Sequence, residues 1–223
     1  MENLNFRTLN ADEIECRVGA VNNTGCSLLL YKNARVDMAL MDEVVGPLNW
    51  TRTHELINGN LFCTVSVRDE KSGTWVSKQD VGVESYTEKE KGQASDAFKR
   101  ACVNWGIGRE LYTSPFIWIT LNNDEWRTGS NGRKQPSARF HVSAIEYDEC
   151  RRVTYVQIVD EKGAIRYTFG KSTAADKHRA EAIAKLKQLE TREEVERFFR
   201  SHAELKNDTE FITACSDRCK EIA

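Results

Sequence analysis

Apolar positions recur at two different periods along the chain, and the changes of period mark out its elements. Asn10, with Glu13 three residues on, has the form of a capping box, which predicts a short helix over residues 10–17. After the polar turn Asn22-Asn-Thr-Gly25, the apolar run from Cys26 to Tyr31 has the length of a buried strand. Asn33 then caps a pattern in which Val36, Leu40, Met41 and Val44 return at helical spacing until Gly46-Pro47 stops it. Two strand-like runs, Leu48 to Ile57 and Leu61 to Arg68, flank Asn58-Gly59, a dipeptide that tolerates the positive φ angles of a two-residue hairpin. Lys71-Ser-Gly73 marks another turn before Trp75 to Val83, so the three runs predict an antiparallel meander. Thr87, with Glu90 as its reciprocal partner, caps a helix whose apolar stripe is Ala94, Ala97, Phe98, Ala101 and Trp105, ended by Gly106 and Gly108.

Residues 122–137 are rich in Asn, Gly, Arg and Lys and predict a long mobile loop. Ala138 to Phe169 predicts a second β region, with hairpin signals at Asp148-Glu149 and Glu161-Lys-Gly163. From Ala174 the pattern is helical: Ala180, Ile183, Ala184 and Leu186 to Leu189; then Thr191 capping with Glu194 ahead of Val195, Phe198 and Phe199; then Asn207 capping with Glu210 ahead of Phe211, Ile212 and Cys215. The fold class is therefore α+β: a β-β-β-α core, a second β-hairpin region and a C-terminal helical segment. The expected domains are residues 1–170 and 171–223. A length of 223 residues suits one large domain or two small ones, with a core that needs no metal or disulfide. The longest apolar run, Phe116 to Leu121, is far short of the ~18 residues of a membrane span. Seven scattered cysteines and an N-terminus without a signal-peptide pattern predict a reduced, cytoplasmic protein that has no membrane partner.

Three kinds of chemistry come into question. Gly170-Lys-Ser-Thr173 lies between a predicted strand and a predicted helix, as a phosphate-binding loop does, but the glycine needed four residues earlier is Ile165. Without it the backbone amides do not wrap phosphates, and the stretch reads as a helix entry. Cys215 and Cys219 share a helix face without a second pair, and His54, His141, His178 and His202 stand in no metal or triad motif, so no metal and no catalytic residue is assigned. Nucleic-acid binding is the third. On the helix ending at Trp105, steps of ~100° place Lys99 and Arg100 opposite the apolar stripe, with Lys89 near the angle of Arg100. Arg127, Arg133, Lys134 and Arg139 form a further basic set on or beside the predicted loop.

Five separate blocks carry a family resemblance: Asp42-Glu-Val-Val-Gly-Pro-Leu-Asn-Trp50, Asn58-Gly-Asn-Leu-Phe62, Gln79-Asp-Val-Gly82, Ser95-Asp-Ala-Phe-Lys-Arg-Ala101, and Trp105-Gly106 with Leu111-Tyr112. In order and spacing, over residues 14 to 112, they resemble the Rad-fifty-two family of single-strand annealing proteins, and within it the phage Sak-type recombinases. The resemblance implies an oligomeric ring or filament that binds single-stranded DNA in a basic groove. It further implies annealing of complementary strands for homologous recombination and double-strand break repair, with no ATP, no cofactor and no hydrolytic site. Residue by residue, Lys99 and Arg100 match the family's DNA-contacting basic pair, Arg17 an arginine across the groove, and Arg35 a basic residue just inside the helix after the first strand. Lys78, Lys89 and Lys91 are nearby substitutes where this chain departs from its eukaryotic relative. That relative has a lysine at the hairpin tip where Asn60 stands here, and a longer loop between Val83 and Thr87. Both departures weaken a second, outer DNA site. The resemblance leaves the C-terminal helices unassigned, with an exonuclease or single-strand-binding protein as candidate partner.

Two other readings stay open on the residues. A double-stranded RNA-binding module has the same order of helix, three strands and helix, although its basic cluster belongs at the start of the second helix. A metal-dependent nuclease would use carboxylates such as Asp80 and Glu84, although Asp80 fits a basic or backbone partner within the sheet better. The charge count bears on both. The chain holds 32 basic and 34 acidic residues, and residues 171–223 hold 11 of each, which leaves 21 and 23 in the presumed binding half. A DNA path must then be a narrow segregated groove, with binding that depends on oligomerisation and on salt.

Overall fold

The computed structural model describes residues 4–83, 89–129, 132 and 134–222. Backbone contacts divide the chain into two compact units, Met1–Gly170 and Lys171–Ala223. Each has its own apolar cluster.

In the first unit the Asn10/Glu13 capping box forms, but it holds only a single 3-10 turn, Ala11–Glu13. The expected helix over 10–17 gives way to strand β1, Glu15–Val21. The competing force is pairing: Glu15 to Val18 sit opposite Tyr31 to Leu28 of β2, Gly25–Tyr31, and each pair places one face on the core. Asn22 closes the intervening turn by accepting from the amides of Thr24 and Gly25. Helix α1, Ala34–Val44, follows its Asn33 cap as expected and buries Leu40 and Met41.

The meander is β3 (Trp50–Ile57), β4 (Asn60–Arg68) and β5 (Trp75–Val81) in the order β3-β4-β5. Asn58 and Gly59 join the first two strands with φ of 51° and 79°, both in the left-handed region that the turn requires. Helix α2, Lys89–Trp105, packs on β4 and β5 and buries Ala97, Phe98, Ala101 and Cys102 completely. The expected Thr87 cap lies outside the described residues, as does Glu84.

Residues 122–137 differ from the expected long loop. Asn122 and Glu125 form a capping box over a 3-10 turn, and β7 (Trp126–Thr128) pairs with β8 (Lys134–Pro136). Short β-ladders of this kind leave almost no hydrophobic period to read. Strands β9 (Phe140–Tyr147), β10 (Val153–Asp160) and β11 (Ile165–Phe169) form the second β region. They do not stand apart: with β6, Ile117–Thr120, they complete a six-stranded sheet in the order β11-β10-β9-β1-β2-β6. Its two end strands approach each other, since Arg166 on β11 donates to the Thr120 carbonyl at 2.8 Å and Tyr167 donates to that of Phe116 at 3.1 Å.

Gly170 ends β11 at φ 74°, and a Cβ there would stand 1.9 Å from the Thr154 carbonyl oxygen of β10. Its role is therefore close backbone packing, and Ser172 separately caps the helix that follows by accepting from the Ala175 amide. Gly170→Ala is expected to lower the melting temperature of the first unit, through both strained φ and the clash, and ATP is expected to give no protection in the same thermal scan.

The second unit holds α3 (Thr173–Leu186), α4 (Arg192–Ser201) and α5 (Thr209–Glu221). Thr191 and Glu194 make the expected capping box. The cap of α5 is Asp208 in place of Asn207, because the Asp208 carboxylate accepts from the Phe211 amide at 3.0 Å. The buried stripe of α3 is Ala182 and Leu186, whereas Ala180 and Ala184 are exposed.

Candidate nucleic-acid interface

Strand register decides which side chains of the β1–β2 hairpin are available. Cys16, Val18, Leu28 and Leu30 pack on the core. Residues opposite one another share a face and alternate along the strand, so Glu15, Arg17, Leu29 and Tyr31 share the other. Arg17 is exposed there, Leu29 is 58% exposed, and Tyr31 is half-buried. The Tyr31 hydroxyl donates to Glu15, and the Asn33 amide donates to the second Glu15 oxygen at 2.9 Å. Since Asn33 also caps α1, this hydrogen-bond chain ties the hairpin face to the helix start, where Arg35 stands exposed in the first turn.

Lys99 reaches this face from α2, with its ammonium 5.8 Å from the centre of the Tyr31 ring. The outcome is a cluster of Arg17, Tyr31 and Lys99 around one carboxylate. Hydrogen bonds from Tyr31 and Asn33 hold the Glu15 carboxyl below its usual range against the opposing effect of burial, and Lys99 lowers it further. Burial, and then the bond to Glu15, pushes the Tyr31 phenol up to about 12, so the ring stays neutral.

Behind this cluster lies a buried ion pair. Lys32, which follows β2, contacts Asp37 of α1, and both side chains are almost wholly buried. Cys102 and Lys99 of α2 also act on the Asp37 carboxyl. Burial raises that carboxyl to about 6 against the pull of Lys32. The pair thus joins the hairpin exit, α1 and α2, the three elements that carry Arg17, Arg35 and Lys99.

The remaining expected residues lie elsewhere. Lys99 and Arg100 do not share one outward face, because neighbours on a helix are ~100° apart and lean to opposite flanks. Arg100 turns to β5, where its Nε stands 3.3 Å from Asp80. Asp80 also accepts from Asn104. Lys78 donates to the Asn104 carbonyl at 2.8 Å and lies 4.5 Å over the Trp105 ring, at the C-terminal end of α2. Lys89 opens α2, but its side chain lies outside the described residues. In the further basic set, Arg127 and Lys134 stand on the β7–β8 hairpin, Arg139 is 3.9 Å from Glu161, and Arg133 lies outside the described residues.

Two residues of this region went unread in the sequence. Tyr31 closes an apolar run and looks like core. Arg52 of β3 lies 4.5 Å over the Phe98 ring, beside Trp50, which stacks on the same ring at 6.0 Å. The period-2 alternation of Trp50, Arg52 and His54 is the signal that would have placed Arg52 on the α2 side.

The first unit thus sets a six-stranded antiparallel sheet and a three-stranded meander around a helix that carries Lys99 and Arg100. Residues 3–130 match the model of the Rad52/22 family of double-strand break repair proteins, and the chain belongs to that family. It is similar to the single-stranded DNA-binding protein DdrA of Deinococcus radiodurans, with 34% identity over 113 residues, 50% of each chain. It is also similar to DdrA of Deinococcus deserti, with 37% identity over 98 residues, 43% of this chain and 47% of that one. The chain thus spans about half the length of the curated relatives it matches.

Proposed function

We propose that this protein binds single-stranded DNA along the Arg17–Tyr31–Lys99 cluster and anneals complementary strands, as an oligomer and without nucleotide hydrolysis. The observation that carries the reading is the convergence of Arg17 and Lys99, from distant parts of the sequence, on one exposed face that continues to Arg35. Family membership and the names of the Deinococcus relatives support it. The five sequence blocks favour a phage Sak-type member acting in a bacterial cytoplasm. Among the described residues, no helix is long and apolar enough to cross a membrane.

The chemistry needed is modest. Annealing replaces two mutually repelling strands by a duplex, so the protein has to neutralise phosphates and hold bases accessible, and no covalent bond changes. Lys99, Arg17 and Arg35 serve the first task. The Tyr31 ring offers an aromatic surface for the second. Arg100, offset by Asp80, adds a cation on the other flank of α2, with Lys78 at the C-terminal end of that helix and Lys89 at its start as further candidates. Linked sites compensate for the small charge of one subunit, because each bound subunit raises the effective concentration of the next. Exposed Leu48, Leu56, Trp75, Tyr112 and Phe116 on the first unit provide apolar surface for contacts between copies.

Glu15 opposes phosphate binding, so Glu15→Gln is expected to raise affinity for an oligothymidylate a few-fold at low salt. Fluorescence anisotropy checks this, and unchanged affinity at every salt concentration would place the path away from the cluster. The whole reading is tested by annealing of complementary oligonucleotides in EDTA without nucleotide, with duplex RNA as competitor. Preference for duplex RNA would favour an RNA-binding module instead.

A further inference from the structure

The second unit brings together two of the histidines that stand in no sequence motif. His178 lies on α3, and His202 follows α4 at the head of the 3-10 turn Ala203–Leu205, which also carries Glu204. Each of the three offers a ligand atom, and these atoms lie within 4.8 Å of one another. His178 Nε2 and Glu204 Oε1 are already 3.0 Å apart. In a tetrahedral zinc site, bond lengths of ~2.1 Å put neighbouring ligands ~3.4 Å apart, so a small closure suffices.

The His202 ring is positioned for the task. Its Nδ1 lies 2.9 Å from the Phe198 carbonyl and 3.1 Å from the Ser201 hydroxyl; the carbonyl can only accept, so the tautomer with its hydrogen on Nδ1 satisfies that contact and leaves Nε2 a lone pair. A backbone carbonyl holding one ring nitrogen is the usual outer support of a metal-binding histidine. Phe198 and Phe211 pack on the same ring at 4.1 and 5.8 Å and limit its rotation. Arg179, the neighbouring cation, is occupied by Asp176, Asp208 and Glu210.

We infer that His178, His202 and Glu204 form a binding site for a zinc-type divalent cation that ties α3 to the α4–α5 connection. Two imidazoles and one carboxylate are the donor set of a borderline cation, and the exposure of His178 and Glu204, 48% and 55%, leaves a fourth position to water. On binding, the cation takes the Nε2 lone pair of the neutral His178 ring in its Nδ1–H tautomer, and any proton held between Nε2 and Glu204 is released to solvent. The benefit falls on a unit with a small core, because Leu205, next to Glu204, is one of its six buried apolar residues, along with Ala182, Leu186, Val195, Phe211 and Cys215. Small units gain the most from a metal clip. This inference is independent of the DNA path.

The test is a titration of the full-length, EDTA-dialysed protein with cobalt(II), read by visible absorption, together with zinc equilibrium dialysis. Expected is about one equivalent per chain with the intense d–d bands of a four-coordinate ion, and affinity lowered at least ~100-fold in His178→Gln and in His202→Gln. Cys219→Ser and His141→Gln serve as controls and are expected to bind as wild type. Circular dichroism of each variant confirms that the helices persist. Absence of saturable binding tighter than about 100 µM in the wild type would overturn the inference, as would binding that survives both histidine substitutions.

Discussion

Lys99→Ala is expected to weaken binding of single-stranded DNA about tenfold at fixed low salt, to a similar extent for all base sequences, with the melting temperature unchanged. The Lys99 ammonium stands over Tyr31 beside Arg17, on the exposed face of the β1–β2 hairpin, and a phosphate placed there would meet both cations. Losing one phosphate contact removes the release of one condensed counterion, so the slope of log affinity against log salt falls by about 0.7. Arg17→Ala is expected to behave alike. Arg100 offers an internal contrast because it faces Asp80 at 3.3 Å. Removing Arg100 leaves that carboxylate uncompensated, so part of the loss in Arg100→Ala returns in Arg100→Ala/Asp80→Asn. No such rescue is expected for Lys99. Anisotropy titrations over a range of salt measure all of this, and a Lys99→Ala protein that binds as wild type throughout would remove the cluster from the path.

The second large effect concerns stability. Asp37→Ala is expected to cost about 3–5 kcal/mol, because it strands the Lys32 ammonium in a site that is almost wholly buried. Lys32→Met/Asp37→Leu is expected to recover most of that loss, since apolar side chains of similar volume need no partner. The pH dependence has a definite sign. Burial raises the folded-state Asp37 carboxyl to about 6, above the ordinary aspartate value of 3.8. Between those values the folded protein holds a proton that the unfolded chain has released, so this group's contribution to stability falls as pH rises from about 4 to about 6. The apolar double variant is expected to lose that slope. Urea titrations at several pH values measure both effects, and an Asp37→Ala protein as stable as wild type would contradict the account of the pair.

The buried Lys32–Asp37 pair left no mark in the sequence pattern, whereas many elements did. Local signals carried most elements: the Asn33 cap, the Asn58-Gly59 turn and the Phe98 stripe each act within a few residues and survive in the structure. The capping box at Asn10 is also real, yet tertiary pairing of Glu15–Val18 with β2 overrode the helix beyond it. Non-local features had no such signal. That β9 to β11 join β1, β2 and β6 in one sheet depends on a single residue pairing, Glu15 with His141. The site divides the same way. Lys99 and Arg100 could be seen on their helix, but their separation, one toward Tyr31 and one toward Asp80, follows from what packs on each flank. That Arg17 and Lys99 both border Tyr31 joins residues more than eighty apart in the chain, and only the family resemblance suggested it.

The central claim is annealing through phosphate neutralisation by an oligomer. Its most direct measurement is the rate at which complementary fluorescent oligonucleotides pair in EDTA, without nucleotide, with the mass of the protein–DNA complex recorded on the same sample. The account predicts annealing well above the protein-free rate, by a multi-subunit complex, lost in Lys99→Ala/Arg17→Ala and suppressed by salt. A monomer that leaves the protein-free rate unchanged would contradict it.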